Sequence, residues 1–226
     1  MTLDVRKHMI EVCRRMNASG INQGTSGNLS VRNGDGFLIT PTSLRYELME
    51  PDDIVEMNFD GTHSGKRKPS TEWRFHLDIL RARPDRHSVL HCHSTYATSF
   101  SCHRRDIQPY HYLVALAGGT TIRCAKYAAY GTQELSENAL RALEGRDACL
   151  LANHGQIAIG RDMEQAFRLA VEVEILARNY IQALSMGEPV ILTDQEMAQV
   201  LKQMNQARYG HAPGNETGVA QTTGNH

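Results

Sequence analysis

Apolar and polar positions along this chain recur with two periods, and the switches between them mark out helices and strands. Residues 3–18 place Val5, Met9, Val12 and Met16 on one side of a helix, which Gly20 can end. "NLSVR" and "GFLIT" read as a hairpin joined through "NGDG", a strong turn signal. "DIVEMNFDGT" is a further strand running into a turn, and "TEWRFHLDILRAR" is a helix that begins after Pro69 and Ser70 and stops before Pro84. "SVLHCHS" is a short buried strand, and "GTTIRCAKY" is another. "GTQELSENALRALEG" is a helix with Gly145 at its C-terminal cap. "ACLLANHGQIAIG" gives two short strands meeting near His154 and Gly155. The longest helix starts at Met163, with positions 167, 170, 171 and 175 on one face, and "TDQEMAQVLKQMNQARYG" closes the pattern as a helix capped by Thr or Asp. Helices set between strands, with a hairpin in the sheet, predict a single α/β domain whose central, mainly antiparallel sheet is flanked by helices. No G-x-G-x-x-G follows a strand, which argues against a dinucleotide-binding domain.

Length and charge narrow the function classes. The chain has 226 residues, ample for one sizeable core, with 24 Lys and Arg against 25 Asp and Glu. That balance gives no case for nucleic acid or a membrane surface as partner. No apolar run approaches the roughly 20 residues of a membrane helix. The N-terminal stretch is amphipathic and carries acids, so it does not read as a secretory signal. Five cysteines without a C-x-x-C pair fit a reducing cytoplasm better than a disulfide framework. Residues 1–210 are expected to form the domain, and 211–226, poor in large apolar residues, to be a disordered tail.

Within that frame, "HCHS" stands out. On a strand, positions i and i+2 share a face, so His91 and His93 project side by side, a geometry suited to two imidazoles on one metal ion. Two buried, hydrogen-bonded histidines would look the same. His154, at the end of an apolar strand, and Glu72, at a helix start, would complete a tetrahedral N/O set if they met the pair. Cys92 points to the opposite face and belongs to the core. His76, one turn after Glu72, and the other histidines read as bystanders. A second group of residues suits phosphate. "GTSGNLS", "TPTS" and the Ser70–Thr71 pair crowd glycines and hydroxyls at turns and at a helix N-terminus, where backbone N–H groups bind anions. Each piece alone is equally a plain turn or an N-cap.

Seven stretches, "NQGTSGNLSVR", "ITPTS", "PSTEWRFH", "VLHCHS", "HYLVALAGG", "YGTQELSENAL" and "ANHGQIAIG", occur in order between residues 22 and 160, within a resemblance that runs from about residue 3 to about 210. Together they resemble the class II aldolase/adducin family. The resemblance implies a zinc-dependent aldolase that cleaves a ketose 1-phosphate, of the fuculose or 5-deoxy-/5-methylthio-ribulose type, to dihydroxyacetone phosphate and an aldehyde. It implies one Zn2+ per chain on His91, His93 and His154, with Glu72 as acid/base and as a metal ligand when substrate is absent. By the same resemblance Gly27, Asn28, Thr42, Ser43, Ser70 and Thr71 hold the phosphate and nearby oxygens. Tyr112 would reach a neighbouring subunit's site in a homotetramer, and Tyr130 and Tyr209 would line the aldehyde end. Ser43 stands where family members tend to have glycine, Thr71 where they tend to have serine, and Tyr130 where the fuculose-phosphate members tend to have phenylalanine. The alternatives in the same fold are a dehydratase or 4-epimerase of a pentulose phosphate, although the epimerases tend to carry aspartate in place of Glu72. The adducin-like members are non-enzymatic binders and are expected to lack the histidine set.

Overall fold

In the computed structural model, which describes residues 2–209, helix α1 (Thr2–Ala18) lays Met9, Val12, Cys13 and Met16 against the sheet. The hairpin β1 (Asn28–Asn33) and β2 (Gly36–Ile39) follows, turning through Gly34 at φ 56°. Next come β3 (Val55–Asn58), the two-residue β4 (His63–Ser64), α2 (Trp73–Ala82) and β5 (Ser88–Cys92). After them run α3 (Thr95–Ser101), β6 (Arg123–Ala125), α4 (Gln133–Leu143), β7 (Ala148–Leu151), β8 (Gly155–Gly160), α5 (Met163–Ser185) and α6 (Asp194–Tyr209). The eight strands form one sheet in the order β4-β3-β2-β1-β5-β8-β7-β6. Every neighbouring pair is antiparallel except β6 and β7, which α4 joins as a crossover and which are therefore parallel. The expected tail, 211–226, lies outside the described residues. Among the described residues no helix is long and apolar enough to cross a membrane.

Both faces of the sheet are covered, giving three layers. On one face α1, α3 and α5 pack over Leu29, Leu38, Leu90, Cys92, Leu150 and Ala158. On the other, α2 and α4 pack over Phe37, Ile39, Val55, Val89, Leu151 and Ile157. The central strands β5, β7 and β8 are accordingly buried along their whole length, while β3, near the edge, alternates buried and exposed. The N-terminal caps are side chains of the favoured types, and at α6 the cap is the threonine of the two residues expected. Thr132 accepts from Leu135 N at the start of α4, Asp162 from Gln165 N at α5, and Thr193 and Glu196 cap α6 reciprocally.

Three readings need correction, and one helix went unread. Strand β6 covers only Arg123–Ala125 of the expected 119–127 segment. Strand β5 stops at Cys92, so His93 lies just past its end. On α5, Phe167 and Ala170 are buried and Val171 packs against the core as expected, but Ile175 is 44% exposed, because the buried face is centred on Ala166, Ala170, Val173, Ala177 and Tyr180 and Ile175 lies to its side. Helix α3 was not anticipated. Its first N–H groups, from Tyr96 and Ala97, donate to the carboxylate of Glu174 on α5, at 2.8 and 2.9 Å. A cap delivered from a distant helix leaves no local mark in the sequence.

Candidate active site

Strand register assembles the first half of the site. Pairing of β1 with β5 sets Asn28 opposite His91, and pairing of β5 with β8 sets Cys92 opposite Gln156. The turn between β7 and β8 then carries His154 to the end of β5. Gly155 makes the approach possible, since a Cβ there would fall 2.5 Å from Cys92 O and 2.9 Å from the His93 ring. The three imidazoles form a triangle, with ring centroids 4.8 to 4.9 Å apart. Glu72 occupies the N-cap position of α2, yet its side chain does not cap the helix. Its carboxylate turns to the histidines instead, 3.2 Å from His91 Nε2 and 3.2 Å from His154 Nε2.

Donor chemistry fits a metal ion. One ligand atom from each of Glu72, His91, His93 and His154 lies within 4.8 Å of the others. His91 Nδ1 lies 2.8 Å from Gln156 O and donates to it, which leaves the Nε2 lone pair facing the cluster. Burial, then the neighbouring imidazoles of His91 and His154, push His93 down to about 4, so that imidazole is neutral as a ligand must be. Burial opposes ionisation of Glu72, but His91 and His154 outweigh it and hold its carboxyl far below the usual carboxylate range. Glu72 Oε1 is buried, and its 3.2 Å approach to His154 Nε2 lacks hydrogen-bond geometry, which leaves an acceptor for a cation. Three nitrogens and one oxygen are a complete tetrahedral set.

The cluster forms the inner wall of a cleft of about 470 Å³. All six residues expected to bind phosphate and nearby oxygens, Gly27, Asn28, Thr42, Ser43, Ser70 and Thr71, line it together with Glu72, His93 and His154. An antiparallel bridge between Pro41 and Pro69 joins two of the hydroxyl-bearing segments, through Thr42 N to Lys68 O and Ser70 N to Thr40 O. The third segment approaches at Gly27, where a Cβ would meet Asn22 Oδ1 at 2.5 Å and His91 O at 2.8 Å. Tyr130, 71% exposed, stands at the mouth. His91 is fully buried beneath the cleft floor. Tyr112 is not part of this lining; it opens a 3-10 turn, Tyr112–Ala117, and is 50% exposed. Tyr209 ends α6, and its side chain lies outside the described part of the structure. Sequence reasoning missed Tyr127 and Asn153, which also line the cleft. Asn153 adopts φ 56°, a left-handed conformation that asparagine enters more readily than most residues.

Residues 7–181 match the family model described as Class II Aldolase and Adducin N-terminal domain. The chain belongs to the class II aldolase and adducin family. Among its curated relatives is the 5-methylthioribulose-1-phosphate/5-deoxyribulose-1-phosphate aldolase of Rhodospirillum rubrum, 51% identical over 198 residues, which are 88% of this chain and 90% of that protein. Another is the L-fuculose phosphate aldolase of Escherichia coli K12, 45% identical over 197 residues, 87% of this chain and 92% of that one. A solved L-fuculose 1-phosphate aldolase superposes with a TM-score of 0.87 at 39% identity, covering 89% of this chain and 96% of its own. The three-layer fold is thus that of the class II aldolases, and the chain is an enzyme of that class, an aldehyde-lyase.

Proposed function

We propose that this class II aldolase cleaves a ketose 1-phosphate between C3 and C4, reversibly, giving dihydroxyacetone phosphate and an aldehyde. The observation that carries the reading is the placement of Glu72. Its carboxylate lies among three imidazoles at the inner wall of a cleft lined by hydroxyls and turn N–H groups. We assign one Zn2+ per chain to His91, His93 and His154, with Glu72 as the fourth ligand in the resting site. When bound, the ion supplies Lewis acidity at the substrate carbonyl, worth several kcal/mol.

The chain's own residues do the rest. Gly27, Asn28, Thr42, Ser43, Ser70 and Thr71 hold the phosphate and its neighbouring oxygens. That remote binding energy fixes C3 beside Glu72. In cleavage the C4 hydroxyl loses its proton, the C3–C4 electron pair goes to C3, and Glu72, whose resting carboxyl is ionised and which first takes up a proton from solvent, delivers that proton there. Tyr112 of a neighbouring subunit is suited to take the C4 hydroxyl proton and to return it in synthesis. Each positioned acid or base contributes on the order of 10²–10⁴-fold. Tyr130 at the mouth, with Tyr209, would meet the aldehyde portion. The 51% identical relative supports 5-deoxy- or 5-methylthio-ribulose 1-phosphate ahead of fuculose 1-phosphate.

The test is product analysis. Zinc-loaded protein is given each of the three ketose phosphates, and dihydroxyacetone phosphate is measured. We expect release from at least one of the ribulose derivatives. An epimerised or dehydrated product without dihydroxyacetone phosphate would overturn the reading. His91→Ala should lose stoichiometric zinc and remain folded, since a core of this size does not depend on a metal; full zinc content in that variant would refute the ligand assignment.

A further inference from the structure

His76 is fully buried on the face of α2 that carries Glu72 one turn earlier, and no part of the mechanism above uses it. It stands over β1, where Asn28 and Ser30 point to the same side. The spacing matches: i to i+2 on a strand and i to i+4 on a helix both advance about 6–7 Å. Three hydrogen bonds result. Glu72 Oε2 is 3.0 Å from Asn28 Nδ2, Asn28 Oδ1 is 2.5 Å from His76 Nε2, and His76 Nδ1 is 2.7 Å from Ser30 Oγ.

The polarity of this chain is determined from one end. An ionised carboxylate only accepts, so Asn28 must turn its NH2 to Glu72 and its carbonyl to His76. His76 must then carry its proton on Nε2, and its bare Nδ1 accepts from the Ser30 hydroxyl. The two ends of an amide are nearly equal in size, so only its partners decide which way Asn28 faces. The bond from His76 Nε2 to the amide oxygen, beside the one from the amide nitrogen to Glu72, keeps Asn28 from turning over.

We propose that His76, with its tautomer set by Ser30, is a positioning residue that holds the Asn28 amide, and through it the Glu72 carboxyl, in one orientation throughout turnover. The effect on turnover rests on the lyase reading; the hydrogen-bond polarity does not. Removing such a partner costs on the order of 10- to 100-fold.

Two measurements test it. Nitrogen-15 NMR of the histidine rings, which needs no substrate, should show His76 neutral with the proton on Nε2; a proton on Nδ1, or on both nitrogens, would overturn the proposal. Kinetics then compare His76→Leu, which fills the space without a donor, with His76→Gln, whose amide can donate to Asn28. We expect His76→Leu to lower kcat at least about 10-fold with KM within about twofold, and His76→Gln to recover most of the loss. Equal loss in both variants, or wild-type kcat in His76→Leu, would overturn it. Should His76→Leu not fold, Ser30→Ala decides: mixed His76 tautomers and a lowered kcat support the relay, and an unchanged tautomer and kcat refute it. Wild-type protein that releases no dihydroxyacetone phosphate would refute the lyase reading alone, with the NMR result still deciding the relay.

Discussion

Ser43 holds its backbone at φ 57°, in the left-handed region where a side chain costs about 1–2 kcal/mol. It sits on the cleft wall, its Oγ 3.3 Å from Thr42 Oγ1. Strain kept at such a position is consistent with a hydroxyl that is needed there. Ser43→Gly relieves the strain but gives the unfolded chain more freedom, worth about 0.4–1 kcal/mol. We therefore expect a net gain of roughly 0.5 kcal/mol in denaturant unfolding, with a raised KM for the sugar phosphate. A clear loss of stability would contradict the backbone described at this residue. Among the site residues, His91 and His93 were legible as a pair because strand periodicity is local. That Glu72 and His154 join them follows from strand register and from Gly155, neither of which spacing reveals; the family resemblance supplied it. His76 passed for a bystander because its partners, Asn28 and Ser30, are 48 and 46 positions away.

At the level of elements, α1 and α5 are clamped together by one acid. Glu164 takes a bidentate pair from Arg15, at 2.5 and 3.0 Å, and a contact from His8 Nε2 at 3.0 Å. The hydrogen bonds from Arg15, then His8, bring the Glu164 carboxyl down to about 2. A carboxyl lowered on folding stabilises above its unfolded value, near 4.5, and loses that contribution as the pH falls toward 2. The group is partly exposed, so screening leaves about 1 kcal/mol. Glu164→Gln should melt below wild type at pH 7, and the gap should close between about pH 4.5 and 2. A gap that stays constant over that range would show that the clamp works by shape and not by charge. Helices and strands with long periodic patterns or local caps were readable from the chain. Helix α3 was not, because seven residues carry little periodicity and its cap is Glu174 from α5.

For the whole molecule, the sheet's antiparallel character followed from its hairpins, whereas the order of the eight strands did not, since pairing of β1 with β5 and of β5 with β8 depends on long-range contacts. Assembly lies a step beyond a single chain. Tyr112 does not line its own chain's cleft and is half-exposed, so it is free to act elsewhere. We expect a homotetramer by light scattering, and partial activity when inactive Tyr112→Phe and Glu72→Gln chains are mixed, because some hybrid sites receive both intact groups. A fully active monomer, or no recovery despite proven subunit exchange, would refute the shared site. The central claim, that Glu72 moves a proton at the carbon beside the substrate carbonyl, has a more direct test that needs no aldehyde. Zinc-loaded enzyme and dihydroxyacetone phosphate are incubated in heavy water, and loss of hydrogen at C3 is followed by NMR. The account predicts exchange of one of the two C3 hydrogens by the wild type, slowed by on the order of 10²-fold or more in Glu72→Gln. No exchange by the zinc-loaded wild type, or equal exchange by the variant, would contradict it.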